Sequence, residues 1–167
     1  MDRQDAPGAK RSKHHGELLG HAFVHTVIDD RSRVAYAEIH DDETAVTAAG
    51  VLQRAVDWFA ARSVTVERVP SDNGGCHRSK LWKRTCAELD VKARFTRPYR
   101  PQTNGKIERI HRTMAAELAF GQHHQSEHAR RTALSRWLHT HNRPRQHSAI
   151  RRNVPFSRLT NVPGQYT

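Results

Sequence analysis

The sequence has little cysteine, few acidic side chains and no long apolar run, and each shortage excludes a class of protein. Its two cysteines, Cys76 and Cys86, are too few for a disulfide framework and lack the spacing of a zinc site. No run of about 18 apolar residues is present to span a membrane, and the N-terminus lacks the apolar segment of a signal peptide. We therefore expect a cytoplasmic protein with reduced cysteines and no membrane partner.

The shortage of acidic residues leaves a strongly basic chain. Among 167 residues, 28 are Lys or Arg and 17 are Asp or Glu, which gives a net charge of +11. This excess creates a positive field that favours a polyanion. We expect nucleic acid, because an anionic membrane would usually require an amphipathic or lipid anchor as well. On charge alone, a generically basic soluble protein is the alternative.

The apolar patterns predict a single α/β domain with a mixed sheet. Two β-branched and aromatic runs joined by a polar turn predict a hairpin. After Asp42, apolar residues at helical spacing from Ala45 to Phe59 predict the clearest helix. We predict strands at 22–28, 34–39, 65–69 and 91–96, and helices at 45–59, 79–89, 106–120 and 127–141. We divide the chain into a flexible basic arm (1–20), a core (21–141) and a basic tail (142–167).

Two carboxylates stand out in this basic chain. Asp72 lies just past the strand predicted at 65–69, before the turn formed by Asn73 and two glycines, and Glu108 lies in the first turn of the helix predicted from 106. Two-metal phosphoryl chemistry needs carboxylates from different elements that converge on Mg²⁺ or Mn²⁺, and a strand end facing a helix start can supply them. The same positions also suit purely structural residues, because Asp stabilises turns and Glu favours a helix N-terminus.

Basic residues surround Glu108 in the sequence. They are Lys106, Arg109 and Arg112, spaced along one helix face, and Arg97 and Arg100, which flank Tyr99 on the preceding loop. Cations beside carboxylates can be surface ion pairs, worth less than about 1 kcal/mol. A dense positive surround is also what a phosphodiester backbone requires.

Four segments resemble the catalytic core of insertion-sequence transposases, which are related to retroviral integrases and have a ribonuclease H-like fold. They are SDNG at 71–74, RPYRPQTNGKIER at 97–109, HTVIDDRSRVAYAEI at 25–39 and the closing segment HNRPRQHSAI at 141–150. Thirty-five residues separate Asp72 from Glu108, which matches the spacing of the second and third catalytic carboxylates in this family. The resemblance covers about residues 21–167.

The resemblance implies a DDE recombinase, which uses two Mg²⁺ or Mn²⁺ ions to cleave transposon ends and then joins the freed 3′-hydroxyl to target DNA. Asp72 matches the second catalytic Asp and Glu108 the catalytic Glu, so both are candidate metal ligands. Asn73 and Gly74 match the turn that presents Asp72. The candidate DNA-binding residues are Arg97, Arg100, Asn104, Lys106, Arg109 and Arg112. The implied partners are transposon ends, target DNA and further copies of the chain, in the bacterial cytoplasm at the nucleoid.

The sequence departs from the family at its first catalytic Asp, which belongs to a strand upstream of the hairpin. Asp2 and Asp5 have no strand context, and Asp29 and Asp30 match the hairpin turn. We therefore expect the first, central strand to be missing, metal binding to be weak or absent, and this chain to be inactive. Pro70 is a second departure, since it cannot donate a backbone hydrogen bond near the strand end.

Three origins would explain such a truncated core: a decayed element, a misplaced start codon, or a front part encoded in another frame. A non-catalytic DNA-binding remnant that regulates an intact transposase is the alternative function. A poorly folding pseudogene product is a third reading.

Overall fold

Four strands in two pairs, together with five α-helices, make up the part of the chain that the computed structural model describes, residues 23–96, 105–119 and 126–159. The elements in chain order are β1 (Phe23–Ile28), β2 (Ala35–His40), α1 (Ala45–Ala60), β3 (Arg68–Ser71), α2 (Gly75–Arg78), α3 (Lys80–Glu88), β4 (Lys92–Phe95), α4 (Gly105–Met114) and α5 (Glu127–Asn142). A π-helical turn at Ala115–Ala119 follows α4, and 3-10 turns at Ser148–Ile150 and Pro155–Arg158 follow α5. None of the described helices combines the length and apolar character of a membrane span. The arm predicted at 1–20 lies outside the described residues, and the division into arm, core and tail stays a prediction.

The strands form two two-stranded sheets. β1 pairs antiparallel with β2, β3 pairs parallel with β4, and no strand pairing joins the two sheets within the described residues. The predicted mixed α/β architecture is therefore confirmed. The expectation that the family's central strand is missing stays a prediction.

The hairpin forms because its turn is stabilised by a side chain. The Asp29 carboxylate accepts hydrogen bonds from the Ser32 backbone N–H at 2.7 Å and from its hydroxyl at 2.5 Å. Arg33 then takes a left-handed conformation with φ of 68°, which brings the chain back along β1 in register, with Ala35 opposite Ile28. The interpretation of Asp29 as a turn-forming residue is confirmed.

The third strand lies later in the chain than the pattern predicted, at Arg68–Ser71 instead of 65–69. Its pairing explains the difference: the carbonyls of Glu67 and Ser71 accept hydrogen bonds from the N–H groups of Lys92 and Thr96. Because ladder groups alternate along a parallel strand, the backbone nitrogen of Pro70 points away from β4. The proline therefore removes no hydrogen bond from this pair.

Helix α1 packs against both halves of the structure. The Thr44 side chain accepts a hydrogen bond from the Thr47 N–H at 3.3 Å and caps its N-terminus. The helix contacts β1 and β2 on one side and α2 and α3 on the other. Two apolar clusters result: Ala35, Ala37, Ile39, Ile110, Met114, Leu134 and Trp137 between the hairpin, α4 and α5, and Ala48, Leu52, Trp82 and Cys86 between α1 and α3.

An ion pair adds to the contact between α1 and the hairpin. Arg54 donates two hydrogen bonds to the Glu38 carboxylate, at 2.8 and 2.7 Å. Burial opposes the charge on Glu38, but the hydrogen bonds from Arg54, Tyr36 and His40 outweigh it and lower the pKa of Glu38 to about 2. The carboxylate is therefore ionised over the whole neutral range and keeps α1 on β2.

The last turn of α5 fixes the outer edge of β2. The buried side chain of Asn142 accepts a hydrogen bond from the Ala35 N–H and donates one to the Ala35 carbonyl, both at 2.8 Å. Next to it, the His141 ring donates a hydrogen bond to the Arg33 carbonyl at 3.2 Å and stacks on Trp137. Burial and, to a smaller extent, the nearby His147 lower the pKa of His141 to about 4, so the ring is neutral at pH 7.

We predict that Asn142→Ala lowers the free energy of unfolding by about 2–4 kcal/mol, because it removes two buried hydrogen bonds and leaves both Ala35 backbone groups without a partner. Urea denaturation measures the change. Thr140→Ala, an exposed position on the same helix, is the matched control and should change the value by less than about 0.5 kcal/mol. Equal effects of the two substitutions would contradict the role of Asn142.

We also predict an acid-sensitive contribution from His141. The unfolded ring has a pKa of about 6.5 and the folded ring one of about 4, so the unfolded chain binds more protons between these values. The stabilising contribution is fully present above pH 6.5 and is lost as the pH falls toward 4. Between pH 7 and pH 4, the wild type should lose roughly 1–3 kcal/mol more than His141→Gln, which keeps a donor for the Arg33 carbonyl. Parallel unfolding free-energy profiles of the two proteins would show this prediction to be wrong.

Candidate functional site

Asp72 lies directly after β3, with its carboxylate fixed by local hydrogen bonds. One oxygen, Oδ1, accepts a bond from the Gly74 N–H at 2.9 Å and one from His77 Nδ1 at 2.8 Å. Burial opposes ionisation, but these two bonds outweigh it and hold the pKa of Asp72 below its usual value. The side chain remains 58% exposed, so an ionised and oriented carboxylate faces solvent.

The loop that carries Asp72 is anchored to the neighbouring strand. The Asn73 side chain donates a hydrogen bond to the Thr96 carbonyl at 2.9 Å. The Thr96 N–H in turn bonds to the Ser71 carbonyl at 3.0 Å. The ends of β3 and β4 are thus joined on both sides of Asp72, which fixes the backbone from which the carboxylate projects.

Gly74 leaves the space that the Asp72 carboxylate occupies. A Cβ atom at this position would lie 2.9 Å from Asp72 Oδ1, closer than a methyl group and an oxygen can approach. At Gly75, the next residue, a Cβ would meet no atom within 4 Å. A side chain at position 74 would therefore displace the Asp72 carboxylate, whereas one at position 75 would not.

Glu108 lies in the first turn of α4 and is exposed. Its helix rests on the hairpin, with Ile110 and Met114 buried in the first apolar cluster and His111 Nε2 lying 2.9 Å from the Thr26 hydroxyl of β1. Asp72, in contrast, is carried by the β3–β4 sheet. The prediction that Asp72 and Glu108 converge on one metal site stays a prediction.

The candidate DNA-binding residues divide into three groups. Arg97, Arg100 and Asn104 lie outside the described residues. Lys106 is paired with Asp30 of the hairpin turn, an exposed contact between the start of α4 and the hairpin. Arg109 and Arg112 are exposed, and no ion pair engages either guanidinium in the described part of the chain. Their contact with DNA stays a prediction.

The two carboxylates suit a hard cation, but they do not complete a site within the described ranges. Carboxylate oxygens are the ligands that Mg²⁺ and Mn²⁺ prefer, and Asp72 is held in the ionised form that such an ion needs. No three His, Cys, Asp or Glu side chains of residues 23–96, 105–119 and 126–159 come together around one point that could hold an ion. Among the described residues, nothing forms a hydrogen bond with the buried hydroxyl of Ser71, next to Asp72.

One residue that contacts Asp72 was not singled out by the sequence pattern. His77 lies on the single turn α2, its ring packs against Trp82 with centroids 4.6 Å apart, and its Nδ1 contacts the Asp72 carboxylate. The only signal in the sequence is its position five residues after Asp72. That spacing predicts a contact between the two side chains only when a helical turn is known to begin at Gly75.

The chain belongs to the integrase core domain family. Two models of that family, both described as integrase core domain, match residues 10–101 and residues 89–155. This confirms the resemblance to integrase and transposase cores with a ribonuclease H-like fold. A putative integrase of Spiroplasma virus SpV1-C74 is 24% identical over 155 residues, which cover 84% of this chain and 42% of the viral protein. The chain spans less than half the length of the curated relatives that it matches.

Solved integrase cores have the same fold. The catalytic core domain of BIV integrase superposes with a TM-score of 0.63 at 25% identity, over 81% of this chain and 84% of that domain. The HTLV-2 integrase catalytic core, solved as a dimer in complex with magnesium, gives a TM-score of 0.63 at 14% identity over 82% of this chain and 83% of that one. The second likeness shows the fold alone.

We predict that Gly74→Ala raises the pKa of Asp72 toward its ordinary value, because the new methyl group displaces the carboxylate from the Gly74 N–H. A pH titration of the Asp72 carboxyl carbon by ¹³C NMR measures this shift. Gly75→Ala is the matched control and should leave the pKa of Asp72 below its usual value. An unchanged titration in Gly74→Ala would contradict the proposed function of this glycine.

Proposed function

We propose that this chain is the catalytic core of a transposase or integrase that cleaves and joins DNA strands with Mg²⁺ or Mn²⁺. The observation that carries the proposal is the Asp72 carboxylate, held ionised and exposed by Gly74 and His77 at a strand end in a member of the integrase core family. The net charge of +11 supports DNA as the partner.

Asp72 and Glu108 would hold the metal, which would supply positive charge at the scissile phosphate and lower the pKa of the attacking water or 3′-hydroxyl. Because the two hydrogen bonds to Asp72 favour its ionised form, no proton has to leave before it acts as a ligand. Arg109 and Arg112, exposed on the helix that carries Glu108, would position neighbouring phosphates.

We further propose that a third carboxylate comes from a segment outside the described residues, on a strand placed between the two sheets. Within those residues β1 pairs only with β2 and β3 only with β4, so each has an edge that can accept another strand. At Pro70 the corresponding edge of β3 lacks a donor, which weakens such pairing by one hydrogen bond. Without that carboxylate we expect metal binding to be weak and strand cleavage to be absent.

The test compares the 167-residue chain with a version extended at its N-terminus by the residues encoded upstream. With Mn²⁺ and a duplex carrying the element's own ends, the extended protein should cleave and the present chain should not. In the extended protein, Asp72→Asn and Glu108→Gln should each lower the rate by about 100-fold or more, because each removes a metal ligand. Asp41→Asn, which changes an exposed carboxylate outside the site, is the control.

The alternative is a DNA-binding protein without catalysis that regulates an intact transposase. The observation that favours it is the lack of a three-ligand metal cluster in the described ranges. It predicts DNA binding that weakens steeply with salt and does not change with Asp72→Ala. Failure of the extended protein to cleave, together with such binding, would replace the catalytic proposal by this one.

A further inference from the structure

The β3–β4 sheet has one covered face and one open face. Val69 and Ala93 lie opposite each other in the register and pack on the apolar cluster between α1 and α3. Side chains alternate between the two faces along a strand, and residues paired in register share a face. The open face therefore carries the alternate residues, which are all exposed: Arg68, Pro70, Lys92 and Arg94. Three of these four side chains are cationic.

Two of these cations have no carboxylate partner among the described residues. No Asp or Glu oxygen there lies within 4.0 Å of the Lys92 ammonium or the Arg94 guanidinium, whereas Arg84, on α3 behind the covered face, is paired with Glu88 at 3.6 Å. Lys92 and Arg94 are two positions apart on one strand, so their Cα atoms are about 6.5–7 Å apart. Their charges therefore add along one surface.

This arrangement of like charges has an electrostatic cost. Arg68 lies opposite Lys92 in the register, on the neighbouring strand, and adjacent strands are about 4.8 Å apart. Cations this close repel each other, although water screens part of the repulsion. An anion bound against the open face would offset that repulsion.

The open face ends at the candidate carboxylate. Arg94 lies opposite Pro70, two residues before Asp72, which places the Cα atoms of Arg94 and Asp72 roughly 8 Å apart. Hydrogen bonds join the two strand ends on both sides of Asp72, so this separation is fixed. A ligand that lies along Lys92 and Arg94 would thus reach the strand end that carries Asp72.

The chemistry of the open face fits a chain of anions. Cations at successive positions of one face present positive charge at regular intervals, and a polynucleotide backbone carries one negative charge per nucleotide. Lys and Arg are the side chains that most often contact backbone phosphates. The net charge of +11 and the family of the chain favour DNA as this polyanion.

We propose that Lys92 and Arg94, on the open face of the β3–β4 sheet, bind the phosphate backbone of DNA and direct it to the strand end that carries Asp72. DNA as the polyanion rests on the proposed function, whereas the anionic character of the ligand does not. Such a contact positions the nucleic acid without reading its sequence.

The first test is the salt dependence of duplex binding in EDTA, so that metal-dependent cleavage plays no part. Lys92→Gln with Arg94→Gln should reduce the slope of log K against log salt by about 1–2, the contribution of one or two phosphate contacts. The matched control is Lys80→Gln with Lys83→Gln, which removes two exposed cations of α3, on the covered side of the sheet. This control should reduce the slope by less.

The second test uses the unmodified chain and does not depend on how a variant folds. Lysines are acetylated with an N-hydroxysuccinimide ester, with and without saturating duplex in EDTA, and the rate at each lysine is measured by mass spectrometry. Bound duplex should slow acetylation of Lys92 several-fold and change that of Lys83 little. Equal protection of the two lysines, or none at Lys92, would overturn the contact.

The outcomes separate this inference from the proposed function. Protection of Lys92 together with a reduced salt slope supports the contact, even where the extended protein fails to cleave DNA. Protection of Lys92 by heparin but not by the duplex would overturn DNA as the ligand. Cleavage by the extended protein that depends on Asp72, with no protection of Lys92 in that protein, would overturn this inference and leave the proposed function intact.

Discussion

The paired hydrogen bonds between Asn142 and the backbone of Ala35 are the constraint on which the hairpin half of the structure depends. They satisfy the N–H and the carbonyl of Ala35, the first residue of β2, which face away from β1. They also fix the last turn of α5, which brings His141 to the Arg33 carbonyl and Trp137 into the apolar cluster. Helix α4 packs on that same cluster. The side-chain amide of Asn142 therefore contributes indirectly to the position of Glu108, which lies on α4 thirty-four residues earlier in the chain.

The second half of the structure follows a different constraint, the joined ends of two parallel strands. Ser71, Asn73 and Thr96 hold the two strand ends together, and Asp72 projects from between them. The acidic side chain is then oriented by the N–H of Gly74 and the imidazole of His77 rather than by a lysine or arginine. Held in this way, the Asp72 carboxylate keeps its charge and stays 58% exposed to solvent. Asp72 is therefore an exposed negative charge in a chain whose net charge is +11.

Much of the architecture could be predicted from the sequence, because the signals were local. The helical spacing from Ala45 to Phe59 and the Asp29 turn each depend on residues a few positions apart, and both formed as predicted. The strand at Arg68–Ser71 was predicted to begin three residues and to end two residues too early, because its bounds are set by pairing with β4 and not by its own weak apolar pattern. The single turn α2 had no periodicity to detect, so His77 was missed.

The sequence by itself determined the family, the order of the elements, the positive charge and the identity of the two candidate carboxylates. Family motifs, turn residues and helical periodicity each depend on a short segment of sequence. They can therefore be recognised without knowing which distant residues come into contact. Only the tertiary structure decided that Asp72 is held by Gly74 and His77, and that Asn142 of α5 bonds to the backbone of Ala35 at the start of β2. These features depend on which groups tertiary packing brings within hydrogen-bond distance of each other. Those distances exist only in the folded chain.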